Sequence, residues 1–219
     1  MTNARESLRA ALGATPDPEF ELTLPRGWER SEPSPEAEAA LEKRLSRRFM
    51  EHGSPDGMRA FVQLRGMLRQ SMTDMRAQHV VAYFAPTGER SDVAFPVPAS
   101  IVATIRSAPT TEEMDGYVKR LIVSEGARPM EANRSILRFE RERIREEKGE
   151  RIVLSSTVYA TPIPGSRRRR ALELVAGYGR PEDIPRDDET IRAAHAFLDL
   201  MVSTLRWRRP DTVGGGHAG

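Results

Sequence analysis

Apolar and polar residues first alternate near the start of the chain. Phe20, Leu22 and Leu24 are separated by Glu21 and Thr23, the period of a half-buried strand. Pro25, Arg26, Gly27 and Trp28 turn out of it. Ahead of this strand Leu8 and Leu12 stand one turn apart, predicting a short amphipathic helix over 4–12 that ends before Pro16 and Pro18. After it, Ser34 and Pro35 read as an N-cap and a first helical residue. Leu41, Leu45 and Phe49 then recur every four residues among charged neighbours, and Gly53 stops the helix. Ser54 and Pro55 open a second helix. Its stripe is Met58, Phe61, Leu68, Met72 and Met75, widened by Val62 and Leu64, which suits one arm of a helical hairpin.

From His79 the period drops to two. Residues 80–84 form a strand, 86–88 a turn, and 93–105 a β-rich segment in which Pro96 and Pro98 indicate an edge or a bulge. Thr110 and Glu113 make a capping box for a third helix, with a core stripe of Met114, Tyr117, Val118, Leu121 and Ile122. Three strands follow at 135–145, 151–161 and 171–178, joined by turns at 146–149 and 162–165. Asp187, Asp188, Glu189 and Thr190 open the last helix, whose apolar stripe runs from Phe197 to Trp207. Acid at its start and Arg206, Arg208 and Arg209 at its end suit the helix dipole. Helices lie between runs of hairpin-joined strands, which argues for an α+β fold with an antiparallel sheet. The apolar opening strand and the tryptophan-tipped end are expected to pack together. Residues 1–209 are expected to form one domain, with 34–78 a helical insertion after the first strand and 210–219 a disordered tail.

Composition narrows the classes of function. The chain has 219 residues and no cysteine, which removes disulfides, thiolate metal sites and cysteine catalysis. Its 34 basic residues nearly cancel 32 acidic ones, leaving +2, which argues against a nucleic-acid partner. No apolar run reaches the length of a membrane span, and residues 1–8 carry no apolar signal core, so a cytoplasmic location is expected.

Candidate chemistry is sparse. His52, His79, His195 and His217 fall in different segments without metal-ligand spacing. Neither a phosphate loop nor a nucleophile elbow is present. Gly177 and Gly179 read as a strand exit. Arg167, Arg168, Arg169 and Arg170 form the sharpest basic cluster, but no aromatic residue interleaves to stack on bases. Arg138, Glu140, Arg141, Glu142 and Arg143 alternate in sign along one strand. The neighbouring arginines keep those carboxylates ionised, unlike an acid–base pair. No cofactor or metal is expected.

Four segments, 20–28, 158–165, 171–175 and 197–207, carry a family likeness. An opening strand ends in Pro25-x-Gly27-Trp28. Tyr159 is followed by Pro162-x-Pro164-Gly165. The last helix closes on Thr204-Leu205-x-Trp207. In these features, over residues 20–30 and 79–207, the chain resembles the PsbP-like superfamily, closest to actinobacterial LpqN-like proteins. The resemblance implies a curved antiparallel sheet with helices on both sides, a PsbP-like α/β/α sandwich. It also implies a binding or accessory role, since members include a photosystem subunit, a small-GTPase-binding protein, mycobacterial lipoproteins and secretion chaperones. These share no catalytic constellation, so no catalytic residues carry over. The chain departs from the lipoproteins in having no lipobox cysteine, and from compact members in its 34–78 helices.

The expected function is therefore a non-enzymatic cytoplasmic binding or adaptor protein, an accessory or chaperone to a secretion or cell-envelope system, with another protein as its partner. Two surfaces are candidates. One is the methionine-rich helix, through Met58, Phe61, Met67, Met72 and Met75. The other is an exposed sheet face carrying Arg138, Glu140, Ser155, Thr157 and Tyr159. The alternatives are an enzyme with His79 or His195 beside a carboxylate in a sheet cavity, and a nucleic-acid contact through Arg167–Arg170.

Overall fold

The computed structural model describes residues 18–52, 57–86, 99–147 and 150–208. The expected helix at 4–12, the tail, Pro96, Pro98 and His217 lie outside them. Seven strands form one antiparallel sheet, in the order β2-β3-β4-β8-β7-β6-β5. They are β2 (Glu29–Ser31), β3 (Val80–Ala85), β4 (Ala99–Ser107), β5 (Arg128–Pro129), β6 (Leu137–Glu147), β7 (Glu150–Pro162) and β8 (Arg170–Pro181). Helices α1 (Pro35–His52) and α2 (Gly57–Ala77) link β2 to β3, α3 (Thr111–Ser124) follows β4, and α4 (Glu189–Ser203) follows β8. The expected α+β class holds, with an antiparallel sheet. Among the described residues, no helix is long and apolar enough to cross a membrane.

Strand alternation sends side chains to two different helices. Ile101, Ala103, Leu172, Leu174, Ala176, Tyr178 and Tyr159 face α4, whose Ile191, Leu198, Met201 and Val202 are buried against them. On the other face Phe139, Val158 and Ala160 pack under Leu121 of α3. Thr110 caps α3 as expected, accepting from the Glu113 N–H at 3.2 Å. Its stripe is narrower than expected, with Ile122 exposed. Asp188 caps α4 through the Thr190 N–H at 2.8 Å. Gly177 and Gly179, read as a strand exit, lie inside β8, because β7 pairs with it as far as Pro181.

The two ends of the described chain meet, as their apolar content suggests, but they form a separate ribbon. β1 (Glu19–Glu21) pairs antiparallel with β9 (Arg206–Arg208), setting Phe20 opposite Trp207. Trp207 therefore sits in a strand; α4 stops at Ser203, where Thr204 caps it. The opening strand is also shorter than its alternation, because Pro25 and Gly27 start a turn closed by the Trp28 N–H on the Pro25 carbonyl at 3.1 Å. Gly27 adopts φ 85°, the left-handed value that this third turn position favours in glycine.

The 34–78 segment is a helical hairpin, but it follows β2 and not the first strand. Ser34 caps α1 through the Ala37 N–H at 3.1 Å. Phe49 stacks on Phe61 with centroids 4.7 Å apart. Arg69 and Arg76 of α2 reach Glu42 and Glu38 of α1. Arg44 ties the hairpin to Glu29 of β2 at 2.8 Å.

Candidate binding site

The expected site residues on the sheet do share one face, but that face is not open. Arg138 opposes Tyr159, Glu140 opposes Thr157, and Glu142 opposes Ser155 across β6 and β7. All point toward α4. Ser155, Thr157 and Tyr159 are buried, with Tyr159 only 1% exposed. The row has the expected strand parity but is covered and not exposed, because α4 lies over it.

Beneath α4 these residues build a polar network. Asp199 accepts from the Tyr159 hydroxyl and from Arg138 Nε, each at 2.7 Å. Arg138 also pairs with Glu140 at 2.6 Å, and Arg186 joins the same carboxylate. Glu142 accepts from Ser155 Oγ at 3.0 Å and from buried Arg180 at 3.2 Å. His195 Nε2 lies 2.6 Å from the Tyr178 hydroxyl and Nδ1 lies 3.8 Å from Glu140. Burial, and then the Asp199 charge and hydrogen bond, raise the Tyr159 pKa far above its ordinary value, so this phenol stays a neutral donor.

Burial first, and the Arg138 charge second, lower the His195 pKa below its usual 6.5, with Arg186 adding to this. Asp199 and Glu142 oppose the shift without cancelling it. The unfolded chain therefore takes up the proton more readily than the folded one. Stability from neutral His195 is full above the unfolded pKa and is lost as pH falls through it toward the folded value. His195→Gln, which keeps a partner for Tyr178, should show a flatter melting-temperature profile than wild type between pH 7.5 and 5. Parallel profiles would show that this imidazole does not govern the acid limb.

The open ground lies on the opposite, α3 side. A concavity of ≈ 320 Å³ is lined there by Arg106, Tyr117, Leu121, Phe139, Arg141, Arg143, Leu154, Ser156, Val158, Glu173 and Val175. Its floor is apolar, through Phe139, Val158, Val175 and Leu154, the last 39% exposed. Its rim is cationic, with three guanidinium groups against one carboxylate.

No protein-family model and no curated protein matches the chain. The similar solved structures include two that follow. LpqN, involved in cell envelope biogenesis of Mycobacterium tuberculosis, is 11% identical with a TM-score of 0.38, over 88% of this chain and 86% of its own. A protein from Bacteroides thetaiotaomicron VPI-5482 is 10% identical with a TM-score of 0.37, over 86% of this chain. The chain spans 45% of the length of the Bacteroides protein.

Local contacts set the charges of the concavity. Glu173 accepts from the Tyr117 hydroxyl at 2.6 Å and pairs with Arg106, whose guanidinium sits 4.5 Å over the Tyr117 ring. Arg141 pairs with Glu125 at 2.9 Å and lies 4.9 Å over Phe139. Arg143 has no carboxylate partner among the described residues. In the sequence Arg141 and Arg143 stand out only as part of an alternating run. In the fold they share a row with Phe139, beside Leu154 and Ser156 on β7. The cross-strand register carries that information, and alternation on one strand does not.

The methionine-rich helix does not present its residues as one surface. Met72 is fully buried, Phe61 and Met75 are half-buried, and Met58 and Met67 are 51% and 54% exposed. Met67 and Met72 are five residues apart, about 140° around a helix, so they cannot share a face. In the basic cluster, Arg168 reaches Asp115 of α3 at 2.7 Å, while Arg167 and Arg169 are exposed. Arg167 and Arg168 both adopt positive φ, at 52° and 59°, in the turn before β8.

Proposed function

We propose that this chain is a non-enzymatic binding protein that holds a partner protein on the α3 side of its sheet. One observation carries the reading: the concavity there combines an apolar floor with a rim of arginines, of which Arg143 has no carboxylate among the described residues. Apolar area with few directed polar groups favours holding a ligand. An adaptor or chaperone serving a secretion or cell-envelope system, in the cytoplasm, is the form we favour. The terminal motifs, which resemble PsbP-like and LpqN-like proteins, support that accessory character.

The test is affinity capture with the intact chain, comparing wild type with Leu154→Asp/Arg143→Glu and with Met67→Glu. All three positions are exposed, so folding should survive. The double variant should lose at least tenfold of a protein that wild type recovers, while Met67→Glu keeps it. Equal recovery by all three would sink the reading. Loss with Met67→Glu alone would move the site to the helical hairpin.

A second reading, an enzyme with its site on the α4 side, has one feature in its favour. His195 stands between Tyr178 and Glu140. Against it, Glu140 is already held by Arg138 and Arg186, which weakens it as a base for the imidazole.

A further inference from the structure

Strand β6 is eleven residues long, but its outer neighbour β5 has two residues and pairs only with Leu137 and Arg138. From Phe139 to Glu147 no described strand pairs with the outer edge of β6. Pairing toward Phe139 would have to continue through Ala127, whose N–H is spent on the Leu121 carbonyl at 2.9 Å, and Gly126, which turns away at φ 70°. A long edge with free backbone donors and acceptors is a template for another strand.

The side chains along this edge differ between its two faces. Glu140 and Glu142, toward α4, are held by Arg138, Arg186 and Arg180. Arg141, Arg143 and Arg145 lie toward α3. Arg141 is held by Glu125, whereas Arg143 and Arg145 have no carboxylate partner among the described residues. Unmatched positive charge therefore stands on one face only, at a spacing of two residues.

That spacing also disfavours a second copy of the chain. Two-fold antiparallel self-pairing sets residues of the same parity opposite each other, since opposed side chains share a face. Any register centred between 141 and 145 sets at least one arginine of 141, 143 and 145 on another, and sets glutamate on glutamate or on Ile144. Like charges directly opposite are destabilising.

We propose that the free edge of β6 takes up an extended acidic segment of a partner protein by strand addition. Aspartate or glutamate at every second residue would face Arg143 and Arg145, beside the concavity. The proposal rests on the binding reading above, because Arg143 belongs to both features, and it names the occupant's chemistry and backbone form.

The test uses the intact chain and three labelled nine-residue peptides. One alternates glutamate with threonine, one has the same composition with its glutamates in a block, and one is the alternating peptide with N-methylated backbone amides. Binding is read by fluorescence anisotropy, and its position by backbone amide shifts. The alternating peptide should bind at least tenfold more tightly than either control and should shift amides of 139–147. Arg143→Glu/Arg145→Glu, exposed positions that leave the core intact, should lose at least tenfold, and an alternating lysine–threonine peptide should bind that variant instead. Equal binding of the N-methylated or block peptide would reduce the effect to plain charge attraction and overturn strand addition. Shifts confined to Leu154, Ser156 and Val175 would also overturn it while leaving the concavity reading standing. No binding of any peptide would overturn it too, and the capture comparison would then judge the concavity by itself.

Discussion

Replacing Phe20 with alanine should lower the stability of the chain by about 3–5 kcal/mol, the usual loss for truncating a buried aromatic residue. In a chain of this size that corresponds to a fall in melting temperature of roughly 10 °C. Phe20 is buried although its strand has only three residues. Its ring meets Phe84 of β3 edge-on, with centroids 6.2 Å apart, and Trp207 of β9 at 6.3 Å. The Arg30 guanidinium lies 5.1 Å above it. Phe20 thus joins the terminal ribbon to the main sheet, and alanine would leave a cavity touching both. Two nearby contacts hold the same junction: the Thr23 N–H donates to Thr204 Oγ1 at 2.8 Å, and Glu21 pairs with Arg208 at 3.1 Å. Leu22→Ala, at a half-buried neighbour, should be clearly milder. Urea unfolding checks both variants. A loss below about 1 kcal/mol at Phe20 would mean that the ribbon is an ornament on the fold.

Arg180→Met should be the second costly change, at about 3 kcal/mol. Breaking a buried ion pair from one side strands the other charge, and the effect is moderated here because Glu142 is a third exposed. Arg180 is 6% exposed and donates to the Ile184 carbonyl as well as to Glu142. Methionine fills much of the same volume but leaves Glu142 with the Ser155 hydroxyl as its remaining close partner. Adding Glu142→Gln should therefore recover about half of the loss, because the stranded charge is gone. If the double variant is as unstable as the sum of the two singles, the pair is not coupled, and Arg180 acts through packing alone.

Both predictions concern places where local pattern and three-dimensional surroundings diverge. Alternation at Phe20, Leu22 and Leu24 made the opening strand visible, and the stripe at Ile191, Leu198 and Val202 made the last helix visible. The capping residues Ser34 and Thr110 also signalled their helices, because a side-chain oxygen at an N-cap acts over three residues. The covered face of β6 and β7 is harder to foresee. Ser155 and Arg138 are polar, a pattern that suits solvent, yet they lie beneath α4, where Glu142 and Asp199 satisfy them. A buried polar network looks like a surface when only one strand is seen.

Periodicities of two and nearly four residues, with their caps and turns, determined the α+β class, the strand runs and the helical hairpin, since those signals act between neighbours in the chain. Tertiary structure alone decided which face α4 covers and which stays open beside α3. It also decided that the two ends pair as a ribbon apart from the main sheet and that β5 is too short to shield β6. Such contacts join residues tens to hundreds of positions apart, and no local spacing records which distant partner a side chain will find.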